Sequence, residues 1–133
     1  MRRSPRSSGE HEAGAAVVDF VLVLLVLVPL VLGVIQVALV DHVRNTTVAA
    51  ATEGARYAAT VTGDPASGAA RTRTQLSGAV SARFIRRITG RLTRVGGLPV
   101  TEVRVIVVVP PLGLWGPGVV LEVVGHGVHE VAP

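Results

Sequence analysis

Between Phe20 and Ile35 the chain has no polar side chain, and from Val17 to Val40 the only polar interruptions are Asp19 and Gln36. A helix rises about 1.5 Å per residue, so this run reaches across the ~30 Å hydrocarbon core of a bilayer. The feature constrains everything else: one helix must be solvated by lipid, and the rest of the molecule is what lies on either side of it. After the run, Asp41 to Pro133 has ordinary soluble character and is long enough for one small domain with a modest core.

Composition removes several classes of function. The chain has no cysteine, which excludes disulfides and thiolate metal sites. Aromatic residues make up 3% of the sequence, too few for the stacking platform of a single-stranded nucleic-acid binder. Arg2, Arg3 and Arg6 precede the apolar run and only Arg44 follows it closely. By the positive-inside rule the N-terminus is expected in the cytoplasm and everything after Val40 outside, as a single-pass protein of the cytoplasmic membrane.

Asp19 and the glycine five residues before it need an explanation. A secretory signal peptide fits poorly, because the apolar run exceeds the usual 7–15 residues and the small residues Ala49 to Ala51 lie well beyond it. A plain signal anchor, with Asp19 at the membrane interface near a helix N-terminus, is a second reading. The third uses the spacing. A basic, polar leader ending in Gly14, then small and apolar residues, an acid, Phe20 and a long apolar helix resemble the class III signal of type IV pilin-like proteins. That resemblance implies cleavage between Gly14 and Ala15 by a prepilin peptidase. It makes Asp19 the fifth mature residue, where the family usually carries glutamate. It also implies an assembly role for Asp19, whose carboxylate would neutralise the new α-amine of a neighbouring subunit. A carboxylate near the bilayer centre costs ~2.5–3.5 kcal/mol on insertion scales, so such residues usually have a partner.

Pro29 removes the backbone hydrogen bond to the Leu25 carbonyl and is expected to bend the helix. Helical character continues through the alanine-rich "DHVRNTTVAAATEGARYAATVTG", and a loop is expected at "TGDPASG", Thr62 to Gly68. Within this extension "ATEGARYAA" matches a stretch common in the TadE-like family, the pseudopilins of tight-adherence (Flp pilus) assembly systems. Together with the leader, "VDF" and the proline in the apolar run, it identifies a TadE-like resemblance that covers Gly14 to Ala59 well. Glu53 and Arg56, three apart, can pair on a helix surface for ~0.2–0.5 kcal/mol. Gly54 costs a helix about 0.8–1 kcal/mol relative to alanine, which suggests that something packs close to it. Glu53, Gly54 and Arg56 are therefore candidates for helix packing; a solvated face with an incidental glycine is the alternative.

A second, amphipathic helix is expected from Ala69 to Val95, with Leu76, Val80, Phe84, Ile88 and Leu92 recurring every fourth residue and Ile85 widening the stripe. Its polar sides would carry Arg71, Arg73, Arg83, Arg86, Arg87, Arg91 and Arg94, with no acid between Pro65 and Thr101. Arg83, Arg86, Arg87, Arg91 and Arg94 form a candidate basic face. It reads as a solvated surface, as an attraction for anionic lipid headgroups or acidic partners, or, least suitably, as a nucleic-acid site. After "GGLP" the β-branched "VTEVRVIVVV", Val100 to Val109, reads as a strand, "PPLGLWGPG" as a connector and "VVLEVVGHGVHEV" as a partner strand.

No enzymatic site emerges. His126 and His129 are three apart and point to opposite faces of a strand, so they do not converge on a metal. "GDPASG" lacks the lysine and setting of a phosphate loop, and Ser67, Ser77 and Ser81 have no histidine or acid in a nucleophile pattern. Neither cofactor nor metal is expected.

The expected architecture is α+β: a long membrane-spanning helix continuing outside the bilayer, a second amphipathic helix, and a C-terminal β-hairpin or small antiparallel sheet. The expected divisions are a cytoplasmic leader (1–14), a transmembrane helix (15–40), an extracytoplasmic extension (41–61) and a small head (62–133). The resemblance implies a minor pseudopilin in Flp-type pilus assembly. Its partners would be the bilayer, the prepilin peptidase, the major pilin, sibling pseudopilins and the assembly platform. The alternative is an unprocessed, signal-anchored surface protein that binds lipid headgroups or an acidic partner through the arginine-rich helix.

Overall fold

The computed structural model describes residues 8–113 and 116–129, with side chains from Gly14 onward apart from those of residues 61–62. Helix α1 runs from Ser8 to Tyr57, passes through Pro29 without interruption, and widens into a π turn over Ala58–Thr62. Gly63 ends it: at φ 68° it occupies the left-handed region, and its N–H donates to the Ala58 carbonyl at 2.7 Å. Helix α2, Pro65–Ala79, starts at once. Asp64 caps it by accepting from the Ala66 N–H at 3.0 Å, and Pro65 fills the first helical position, where its missing N–H is no loss. The loop expected over Thr62–Gly68 is thus compressed to two residues.

A 3-10 turn, Ala82–Phe84, leads into three strands: β1 (Ile85–Val95), β2 (Leu98–Val109) and β3 (Val119–Val128). They form an antiparallel sheet in the order β1-β2-β3. The fold is α+β, with both helices on one face of the sheet; α1 lies over β3 and β2, and α2 over β1.

The second helix is half as long as its sequence suggests. Leu76 is buried within α2, but Val80 is already extended (φ −129°, ψ 140°), and Ile85, Ile88 and Leu92 belong to β1. The corrected stretch carries Arg86, Arg87, Arg91 and Arg94 on a strand, and Arg83 in the preceding turn. What decides the matter is tertiary. Val95 pairs with Leu98 across Gly96 and Gly97, whose φ values of 58° and 83° suit a two-residue hairpin turn that matches strand twist. β1 thereby gains a complete ladder with β2, apart from a bulge between Ile85 and Arg87.

The apolar run and the head divide α1 between them. From Val17 to Val37 its large apolar side chains are exposed, Phe20 at 63% and Val37 at 70%, except Leu32, which is half-buried. Packing begins with Leu39 and Val40, and Val43, Thr47, Ala50, Ala51, Ala55 and Ala58 are buried. They meet Leu76 from α2, Ile88 from β1, the alternate residues Val103, Val105, Val107 and Val109 from β2, and Val123 from β3. Burying each such valine or leucine contributes roughly 1.5–3 kcal/mol. Alanine on the helix is what lets the layers approach. A Cβ on Gly125 would collide with the α1 backbone at Ala51 and Thr52, and one on Gly127 with the backbone at Ala55 and Arg56, one turn further along. Thr47, also fully buried, donates its hydroxyl to the Val43 carbonyl at 2.6 Å.

Gly125→Ala is expected to destabilise the head by about 2 kcal/mol or more, because the obstacle is backbone and not a side chain that can turn away. Gly78→Ala, at a helical site with open space around it, is expected to be neutral or stabilising within about 1 kcal/mol. Chemical denaturation of the full chain in detergent micelles, followed by circular dichroism, measures both.

Candidate functional site

Two surfaces carry the residues singled out by the sequence: the exposed half of α1, and the place where its continuation meets the head. Gly14, Ala15 and Asp19 all lie in α1 and are exposed. Asp19 sits five residues beyond Gly14, about 7.5 Å along the helix axis. Among the described residues it forms no ion pair, so within a single copy its carboxylate faces outward from an otherwise apolar surface.

The "EGARYAA" segment turns one face inward. Gly54, Ala55 and Ala58 are buried, whereas Glu53 and Arg56 are exposed. Gly54 marks the crossing of α1 and α2. A Cβ there would strike Thr72 Oγ1 and come within 2.5 Å of the Gly68 carbonyl oxygen; a Cβ on Gly68 would lie 2.7 Å from the Gly54 oxygen. Thr72 tightens the contact, its hydroxyl donating within α2 to the Gly68 carbonyl at 2.9 Å and lying 3.2 Å from the Ala50 carbonyl of α1. Glu53 and Arg56 do not pair with each other among the described residues. Glu53 instead borders a shallow recess with Thr46, Ala50 and Gln75, leaving both charges accessible to another molecule.

The arginines do not form one basic face. By strand alternation Arg87 and Arg91 point to the side of the sheet away from the helices, while Arg94 lies near the distal hairpin. Arg91 is engaged within the sheet, its guanidinium 2.9 Å from Glu102 on β2. Arg104 reaches Glu102 at 3.3 Å and also pairs with Glu122 on β3. His126, directly across from Glu102, places Nε2 3.7 Å from its carboxylate. The Glu102 side chain is only 8% exposed, so burial opposes its charge; the Arg91 guanidinium, helped by Arg104, nevertheless holds the carboxyl below its ordinary range. This acid–base cluster was not apparent in the sequence, because it depends on the register that sets Arg91, Glu102 and His126 side by side across three strands.

His129 turns elsewhere, its Nε2 lying 2.8 Å from Thr101 Oγ1. Among the described residues no group of three histidine, aspartate or glutamate side chains is arranged to hold a metal ion.

Because Glu102 has a lower pKa folded than unfolded, its contribution to stability is complete above the ordinary glutamate pKa, near 4.3, and is lost as pH falls through the depressed value. Denaturation midpoints measured from pH 7 to pH 2 should therefore drop more steeply below pH 4 in the native chain than in Glu102→Gln. Equal acid limbs in the two proteins would contradict the assignment.

The TadE-like protein family matches residues 14–56, so the stretch from Gly14 to the arginine of "EGAR" is similar to that family. The match covers the exposed membrane-type half of α1 and its buried continuation, and ends before α2 and the sheet. Comparison with curated proteins and with solved structures gives no match.

Proposed function

We propose that this TadE-like chain is a non-enzymatic, single-pass membrane protein that acts as a minor pseudopilin in assembly of a Flp-type pilus. The observation that carries the reading is that the family match and an exposed apolar surface fall on the same stretch. The family match begins at Gly14, and from Val17 to Val31 α1 presents exposed apolar side chains, with Asp19 among them. Family context supplies the pilus system, and the long apolar helix is compatible with a single-pass anchor.

In this reading the leader stays in the cytoplasm, where Arg2, Arg3 and Arg6 hold it, and the head lies outside. A prepilin peptidase cuts after Gly14 and frees the amine of Ala15. When helices bundle with the major pilin or sibling pseudopilins at the assembly platform, the Asp19 carboxylate of one subunit meets the amine of another. In a low-dielectric interior that pairing is far stronger than in water, and a subunit out of register leaves a buried charge unmatched. Asp19 thus sets register, while the apolar side chains of α1 supply contact area.

Mass spectrometry of the chain extracted from membranes of cells with an active peptidase should give an N-terminus at Ala15. An intact Met1 favours the unprocessed anchor instead. Asp19→Ala should insert normally but lose co-purification with the other pilus subunits, and normal assembly of that variant would contradict the role given to the carboxylate.

A further inference from the structure

At its membrane-side end the head does not simply stop. The connector between β2 and β3 turns down along α1, so that Pro111, Leu112 and Gly113 border an apolar recess with Leu32, Gly33 and Gln36, which continues toward Pro29 and Val28. The side-chain amide of Gln36, the one polar group in α1 between Asp19 and Asp41, is turned onto this connector. Its Oε1 accepts from the Leu112 N–H at 2.8 Å, and its Nε2 donates to the Pro110 carbonyl at 3.3 Å.

Gln36 lies about 7.5 Å along the helix from Asp41, the first charge after the apolar run, and Leu32 about 13 Å from it. If α1 crosses a bilayer, as the proposed function requires, residues 110–113 reach below the level of the first charge. There an unsatisfied backbone N–H or carbonyl costs several kcal/mol, and irregular chain is tolerated only where its polar groups find partners. The connector lowers that cost. Pro110 and Pro111 bring no N–H, the Leu112 N–H and Pro110 carbonyl are both taken by Gln36, and no charged residue occurs from Pro110 to Leu121. Apolar surface continues around the same rim, with Leu112 43%, Val119 39% and Val120 65% exposed. Just above it, Arg83 and Arg86 flank Pro110 and Val108, at the height where phosphates would stand.

We propose that the β2–β3 connector is a second membrane contact. Residues 110–113, clasped by Gln36, sit among the acyl chains of the head-side leaflet, with Arg83 and Arg86 against its phosphates. The contact rests on α1 crossing the bilayer, and it gives the head a fixed tilt on the membrane in place of free swivelling.

The single tryptophan, Trp115, is removed as Trp115→Phe, and Leu112→Trp puts the reporter within the clasped connector. The full chain is reconstituted into phosphatidylcholine–phosphatidylglycerol vesicles, and flotation first establishes insertion. In the inserted protein carrying Trp115→Phe and Leu112→Trp, emission should be quenched by lipids brominated on their acyl chains and little affected by aqueous iodide. Gln36→Leu, which keeps α1 apolar and inserted, should reverse that preference, and Arg83→Gln with Arg86→Gln should reduce lipid quenching mainly in phosphatidylglycerol-rich vesicles. Iodide-accessible emission from the reporter at position 112 in the inserted chain would overturn the proposal. So would emission shielded from both quenchers, which indicates cover by a second copy. Failure of flotation would instead overturn the membrane reading of α1 on which it stands.

Discussion

The approach of α1 to β3 governs the rest of the molecule. Ala51 and Ala55 present backbone to Gly125 and Gly127, one helical turn matching two strand residues, and no larger side chain fits at the strand positions. This contact fixes both the height and the direction of α1 across the sheet. Because α1 is one helix from Ser8 to Tyr57, the direction set in the head is also the direction of the apolar half. The membrane-type segment is thus aimed by packing that occurs beyond it. The same geometry lays the β2–β3 connector beside Gln36, 74 residues before Pro110.

The two parts of α1 are built on different patterns. From Phe20 to Ile35 it is apolar all round and carries no amphipathic stripe, as a lipid-solvated helix would require. Its second half is stabilised through small side chains on one face, with Gly54, Ala55 and Ala58 against α2 and the sheet while Glu53 and Arg56 remain outside. The expected extension beyond the membrane is thus the central element of the head's core. The family match, which ends at Arg56, encompasses both the exposed apolar surface and the surface on which the head is built.

Much of this was legible in the residues, and the failures have identifiable causes. The long helix followed from an apolar run and an alanine-rich sequel without a breaker, and β2 and β3 from β-branched runs around a proline- and glycine-rich connector. The β1 stretch reads as helix because a repeat of four residues satisfies a helix and is also a multiple of the two-residue strand period. Leu76, Val80, Phe84, Ile88 and Leu92 therefore did not discriminate. The signals that did were the β-branched Ile88, Thr89, Thr93 and Val95 and the Gly96-Gly97 pair between Val95 and Leu98. The Glu102 cluster and the Gln36 clasp were hidden for another reason. Each joins residues whose neighbourhood exists only once register and layer packing are fixed, and a lone glutamine in an apolar run names no partner.

That α1 is one unbroken helix running from the apolar stretch into the core of the head is most directly tested by hydrogen exchange on the full chain in lipid nanodiscs. Continuous protection of the backbone amides from Val17 through Ala58, with no gap where the apolar run gives way to the core at Leu39–Val43, is the expected result. Fast exchange across residues 38–46, with protection on both sides, would mean a hinge between anchor and head and would contradict it.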